Sequence, residues 1–226
     1  SVAVDSSGNV YTTGKFWIWA DFDPDPSETA NFYGGGNGDA FVWKLDSSGD
    51  YVWAKSFGGT SSDIGLSVAV DSSGNVYTTG YFSDTADFDP GAGTANLTTC
   101  GSFDAFVSKL DSSGDYVWAK SFGGCSNEYG YSVAVDSSGN VYTTGKFSGT
   151  ADFDPGAGTV ELTSNASSDV FVLKLDSSGN LATAEVEGVS VSKATVSVSE
   201  SGPTAEEFTV VLDAPPTSDV VLTVTS

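Results

Sequence analysis

Three times along the chain two aspartates flank a phenylalanine ahead of a proline: Asp21 and Asp23, Asp87 and Asp89, Asp152 and Asp154, each inside Ala-Asp-Phe-Asp-Pro. Two carboxylates at i and i+2 on a loop can converge on one cation, with carbonyls of the following loop completing its shell. Calcium, which takes about six to eight oxygens in irregular geometry, fits such a set. The same carboxylates have a second use, because an aspartate that accepts nearby backbone amides shapes a turn before proline. The spacing leaves both open. There is no histidine, and the only cysteines are Cys100 and Cys125. A histidine-based triad, a zinc-protease motif and a His/Cys zinc or copper site are therefore excluded. No pair among the 30 acidic residues stands out as a glycosidase acid and nucleophile. The expectation is no catalytic residue, no required cofactor, and calcium as the one metal to consider.

Other residues recur just as regularly. Asp5, Asp46, Asp71, Asp111, Asp136 and Asp176 each open an Asp-Ser-Ser-Gly turn, where the carboxylate caps the turn and glycine supplies a positive φ. Asp39, Asp104 and Asp169 precede the Phe-Val run, bonding either turn amides or a neighbouring unit. Lys44, Lys109 and Lys174 recur in one strand, and Lys55 and Lys120 in the next, each expected to pair with an aspartate. Trp43, Trp53 and Trp118 occupy core-like strand positions. Trp17 and Trp19 are different. They stand in KFWIWADFDP, where the other repeats read YFSDTADFDP and KFSGTADFDP, and are candidates to cover an exposed face or to contact a partner.

The elements that position these residues follow from a long internal repeat. SVAVDSSGNVYTTG begins at Ser1, Ser67 and Ser132, which fixes units of about 65 residues over 1–66, 67–131 and 132–188. Each unit holds two hairpins, with period-two alternation and the same turn chemistry, so each is read as four antiparallel strands. In the second unit these fall near 66–71, 75–82, 104–110 and 116–122. Between the hairpins a Pro/Gly-rich insertion carries the Asp-Phe-Asp-Pro motif and a short strand near 94–97 and 160–162. Pairing Asp46 with Asp50 puts Trp43 opposite Trp53, with Phe41, Trp43, Leu45, Tyr51, Trp53 and Phe57 on one face and Val42, Val52 and Ala54 on the other. Both faces are apolar, so both are covered. The equivalent turn at Asp111–Asp115 brings Cys100 and Cys125 opposite one another, within disulfide reach.

VDSSGNVYTTG followed by DAFVSKLDSSGDYVWAKSFGG resembles the bacterial beta-propeller repeat family labelled SBBP, over residues 1–188. The resemblance implies an all-β array of four-stranded antiparallel propeller-like blades in a secreted or surface-attached protein, and no catalytic set. Residues 189–226, rich in Val, Ser and Thr, resemble the opening strands of a Calx-β-type sandwich, of which they hold only part. The repeat opens at Ser1 without a leader, as expected of a piece of something longer.

A formal charge of -22 argues against nucleic acid and anionic membrane surfaces. No apolar run approaches the ~20 residues of a spanning helix. The expectation is a non-enzymatic extracellular or cell-surface protein of structural or adhesive type. Its expected partner is itself, through open β edges, or matrix components. The alternative is a glycan- or protein-binding module.

Overall fold

The structure is a computed structural model that describes residues 1–165 and 167–182. The segment expected to resemble a Calx-β sandwich, 189–226, lies outside the described residues. Seventeen strands and no helix make up the described part. They are β1 (Val2–Val4), β2 (Val10–Phe16), β3 (Trp19–Asp21), β4 (Asn31–Tyr33), β5 (Asp39–Leu45), β6 (Tyr51–Gly59), β7 (Ile64–Val70), β8 (Val76–Phe82), β9 (Thr85–Asp87), β10 (Asn96–Thr98), β11 (Asp104–Leu110), β12 (Tyr116–Gly124), β13 (Tyr129–Val135), β14 (Val141–Phe147), β15 (Thr150–Asp152), β16 (Glu161–Thr163) and β17 (Asp169–Leu175).

Each repeat is an antiparallel meander. β1-β2-β5-β6 forms the first unit and β7-β8-β11-β12 the second. The third has β13-β14-β17, with Leu181 bridged to Leu175. The insertion between the inner hairpin and the third strand is itself a hairpin: β3–β4, β9–β10 and β15–β16. In the second and third units its partner is the preceding unit. Gly58 and Gly59 at the end of β6 pair with Asp87 and Ala86 of β9, and Gly123 and Gly124 of β12 pair with Asp152 and Ala151 of β15. The outer strands β6 and β12 thus run out of their own sheets and into the next unit's hairpin.

The third hairpin of each unit corrects one expectation. Leu45 pairs with Tyr51, but a register shift then sets Lys44 opposite Trp53 and Trp43 opposite Ala54. Trp43 and Trp53 do not face each other. Val52 is the extra residue of a β-bulge, and with a side-chain period of two a one-residue slip exchanges the faces of everything beyond it. Val117 repeats this in the second unit, and both valines are exposed.

The exchange decides the core. Trp53 and Phe57 share a face with Ala40 and Val42, and with Tyr11 they pack against Val68, Val76, Phe82, Phe88, Phe106 and Leu110 of the next unit. Tyr77, Trp118 and Phe122 do the same against Val133, Phe147, Phe153, Phe171 and Leu173. Fully burying such a side chain contributes about 1.5–3 kcal/mol, so the inter-unit layers carry the fold. Phe41 and Trp43 face the other way, under Phe22 and Phe32 of the first unit's own hairpin.

Close approach between units depends on glycine at a few stations. A Cβ on Gly65 or Gly130 would lie 2.0 Å or 2.2 Å from Oγ1 of Thr13 or Thr79 in the preceding unit. Gly114 and Gly179 need glycine twice over. Both have positive φ, near 80°, and a Cβ would meet Trp53 or Trp118 of the preceding unit at 3.1 Å and 2.9 Å. Each tryptophan Nε1 donates to a carbonyl of the same turn, Ser112 or Ser177, at 3.3 Å.

Cys100 and Cys125 form a disulfide with a Cα–Cα distance of 4.7 Å. The route differs from a simple continuation of the hairpin, since the β11–β12 ladder starts at Ala105 and Phe122 and the strands beyond meet in a parallel bridge between Phe103 and Asn127. The bond closes a loop of separation 25, which in the chain-entropy picture stabilises by about 3 kcal/mol. We expect unreduced protein to resist alkylation at both cysteines when denatured, and a lower melting temperature after reduction. Two alkylated cysteines in the intact mass without reductant would rule the bond out.

Candidate functional site

The fold brings buried carboxylates together at the two described unit junctions. β6 ends in Gly-Gly and is followed by Thr-Ser-Ser-Asp, and β12 ends in Gly-Gly and is followed by Cys-Ser-Asn-Glu. Asp63 and Glu128 therefore occupy equivalent places, and at 1% and 0% exposure they are enclosed. Asp63 accepts the amide of Gly59 through Oδ2 at 2.8 Å and that of Ser83 through Oδ1 at 3.3 Å. Glu128 does the same with Gly124 at 2.8 Å and Ser148 at 3.4 Å. One oxygen holds the end of a unit's outer strand and the other holds the β8–β9 or β14–β15 turn of the next unit. This is a latch between sheets.

A second carboxylate stands beside each. Asp39 accepts the Gly35 amide at 2.9 Å and Asp169 that of Asn165 at 2.9 Å, so this series closes the loop entering the third strand. Its other oxygen turns to the junction. A Cβ on Gly58 would lie 2.7 Å from Asp63 Oδ2 and 2.9 Å from Asp39 Oδ1, and one on Gly123 would lie 2.8 Å from both Asp104 Oδ1 and Glu128 Oε2. Only glycine fits between them. Oδ1 of Asp39 and of Asp104 is buried without a hydrogen-bond partner.

The electrostatics of the two junctions differ. Burial raises the Asp63 carboxyl to about 6, against the amides of Gly59 and Ser83 and the nearby Lys15 ammonium. Lys15 donates to Ser62 Oγ at 2.6 Å. The equivalent of Lys15 in the second unit is Tyr81, packed on Phe103 and Tyr129. Without a lysine there, burial and then the Glu128 charge push Asp104 up to about 7. Burial raises Glu128 as well. Enclosure also bears on chemistry: a paired acid and carboxylate of this kind has the elements of general acid–base work, but these are sealed beneath the sheet ends and not exposed in a cleft.

The aspartates singled out in the sequence have separate stations. Asp87 Oδ1 accepts the amides of Asp89 and Ala95, and Asp89 Oδ1 accepts that of Gly91. Asp152 and Asp154 repeat this with Asp154, Val160 and Gly156. Asp21 takes the amides of Asp23 and Ala30, and Asp23 that of Asp25. All six thus shape the insertion turn. Among the described residues no group of three acidic, cysteine or histidine residues is arranged to hold a metal. The Asp-Ser-Ser-Gly aspartates are the turn caps expected. Asp71 accepts amides of Ser73 and Asn75, the Asn75 side chain and the Tyr77 hydroxyl. Burial raises its carboxyl, and these bonds together outweigh it, leaving the group below its ordinary value.

The lysines behave differently from the expectation of aspartate pairs. Lys55 and Asp115 form the ion pair seen among the described residues, at 3.5 Å. Lys44, Lys109 and Lys174 instead lie 5.1, 5.1 and 5.4 Å over the rings of Tyr11, Tyr77 and Tyr142. Those tyrosines donate to the turn aspartates, so the cation meets an electron-rich ring that is already tied to a carboxylate. Trp17 and Trp19 are exposed, at 62% and 59%.

Comparison with known proteins fits this geometry. Two stretches, residues 52–81 and 117–150, match the family model described as beta-propeller repeat. Each stretch runs from one unit's outer strand through the latch carboxylate into the next unit's first two strands, so what the family model describes is the junction. The Calx-β resemblance of 189–226 has no such support. The chain is 30% identical over 127 residues to the regulatory protein FlaEY of Caulobacter vibrioides, covering 54% of this chain and 13% of that protein. It is 28% identical over 114 residues to an uncharacterized WD repeat-containing protein L264 of Acanthamoeba polyphaga mimivirus, covering 44% and 8%. The chain spans a small part of both relatives.

The latch was missed in the sequence because its acid is Asp in one junction and Glu in the other. The legible signal was an acid four residues after each Phe-Gly-Gly.

The two carboxylate sets give stability opposite slopes with pH. Junction carboxyls with raised values contribute stability that is complete below about pH 4, the unfolded value, and is lost as pH rises through about 6 for Asp63 and about 7 for Asp104. Turn aspartates with lowered values contribute stability above about pH 4 that is lost as pH falls below it. We expect the melting temperature to decline from mildly acidic to mildly alkaline pH. Asp104→Asn should melt higher than the parent at alkaline pH and converge with it in acid. A variant that melts lower than the parent at alkaline pH would refute the raised value.

Proposed function

We propose that the chain is a non-enzymatic scaffold of structural or adhesive type, built from three propeller-type blades and exposed on the outside of a cell. The observation behind this reading is that the recurrent polar residues serve the scaffold. Turn aspartates, insertion aspartates and latch acids are tied to backbone amides in every repeat where they are described, and Lys44, Lys109 and Lys174 lie over tyrosines. What the blades leave open is edge. β9 and β15 each take a Gly-Gly strand end from the preceding unit, whereas β3 has no such partner among the described residues. An open strand edge pairs with another chain readily, and self-association through such edges is the assembly we propose. The disulfide and the net charge of -22 suit an oxidising, ion-rich exterior.

Light scattering across a concentration series tests the assembly. Oligomers that grow with concentration are expected, and a monodisperse monomer throughout would end the proposal. Calcium is a separate matter. With one oxygen of each Asp-Phe-Asp-Pro carboxylate committed to amides, any calcium would use the remaining oxygens and loop carbonyls. We expect stabilisation by calcium no larger than that by magnesium or by sodium at matched ionic strength. A calcium-specific rise in melting temperature, removed by Asp87→Asn with Asp89→Asn, would instead establish a metal role.

A further inference from the structure

The first unit's insertion hairpin departs from its two counterparts at one pair of positions. In β9–β10 and β15–β16 the opposed residues are threonines, Thr85 with Thr98 and Thr150 with Thr163, hydroxyl to hydroxyl at 2.9 Å. In β3–β4 they are Trp19 and Tyr33, and both rings are exposed, at 59% and 78%. Unit stacking does not explain them. The threonines remain exposed although a preceding unit is docked on those hairpins, because docking uses the strand edge and leaves this face open. Trp19 and Tyr33 therefore face solvent whether or not anything pairs with β3. Ala20 and Phe32, which alternate with them, supply the packing.

Two residues farther along the same face, about 7 Å away, Asp21 stands opposite Asn31. Trp19, Tyr33, Asp21, Asn31 and Thr29 line a shallow open depression of about 340 Å³. Asp21 uses Oδ1 on the amides of Asp23 and Ala30, while among the described residues no donor takes its Oδ2 and the Asn31 side-chain amide makes no hydrogen bond. The depression thus combines two aromatic faces, a free carboxylate oxygen, a free amide and a hydroxyl.

We propose that this depression binds a hexose unit of a neutral polysaccharide. A pyranose ring has a face of C–H bonds that seats on the electron-rich face of an aromatic ring, and a rim of hydroxyls that needs a carboxylate or an amide. Trp19 and Tyr33 supply the first and Asp21 with Asn31 the second. Asp21 and the charge of -22 disfavour uronate polymers. Trp17 lies outside the depression, with the Lys15 ammonium 5.0 Å over its ring. This inference deepens the adhesive reading and is independent of self-association.

Isothermal titration of the full chain with cellohexaose, laminarihexaose, xylohexaose and mannohexaose tests it, with oligogalacturonate as the anionic comparison. We expect saturable binding of at least one neutral oligosaccharide and none of oligogalacturonate. Trp19→Ala and Tyr33→Ala should each weaken binding by about tenfold or more, with unchanged melting temperature, and Trp17→Ala should bind like the parent. No heat with any neutral probe, or equal affinity in Trp19→Ala, overturns the site. Light scattering on the same variants separates the two readings. Loss of oligomers in Trp19→Ala without glycan binding by the parent would assign the surface to contact between copies. Intact oligomers with no glycan binding would refute the site and leave assembly standing.

Discussion

The junction between successive units is the constraint on which the structure depends. An outer strand ends in Phe-Gly-Gly, and those three residues meet three demands at once. The phenylalanine, Phe57 or Phe122, fills the layer between sheets. The first glycine lies between two buried carboxylates where a Cβ would collide with both. The second donates its amide to the latch acid while pairing with the next unit's hairpin. The reach of the latch carboxylate across to Ser83 or Ser148 then fixes the next sheet against the first. Enclosing an acid is costly unless its charge is hydrogen-bonded, and here two amides per carboxylate offset part of that cost. The remaining imbalance appears as raised proton affinity at Asp63 and Asp104.

With 30 acids and eight lysines, the chain must limit its own repulsion. It does so through backbone amides more than through ion pairs. Each turn aspartate accepts two amides, and four of them, at 5, 71, 136 and 176, accept a side chain of Asn besides. Charge-assisted bonds of this kind are stronger than bonds between neutral groups, and their local geometry is set by the turn itself. Exposed ion pairs would contribute little. Placing Lys44, Lys109 and Lys174 over tyrosines whose hydroxyls already engage the turn aspartates makes a local unit of cation, ring and carboxylate that recurs in every repeat.

Individuality enters where a repeat breaks its pattern. The second unit replaces the junction lysine by Tyr81 and adds the disulfide. The first carries Trp43 where the second has Ser108, and Phe32 where it has Leu97, and these larger side chains cover a sheet face that in the second unit lies against its neighbour. The Trp19–Tyr33 pair follows a different logic, since its positions face solvent in all three hairpins. Packing accounts for the first set of changes and not for the second, in which two large aromatic rings face solvent.

The sequence by itself determined the repeat length, the strand positions and the turn chemistry, because these rest on local period, turn residues and self-similarity. Strands expected near 104–110 and 116–122 lie at Asp104–Leu110 and Tyr116–Gly124. It also singled out Trp17 and Trp19 as departures. Tertiary structure alone decided the faces of the third hairpin, since one bulge at Val52 reverses them and a bulge leaves no mark in a pattern apolar on both sides. It alone brought Asp39 to Asp63 and Asp104 to Glu128, because their contact comes from stacking one sheet on the next, and no local rule relates residues joined in that way. Tyr33 joined Trp19 for the same reason: their opposition depends on the register across an irregular loop, which only the paired hairpin reveals.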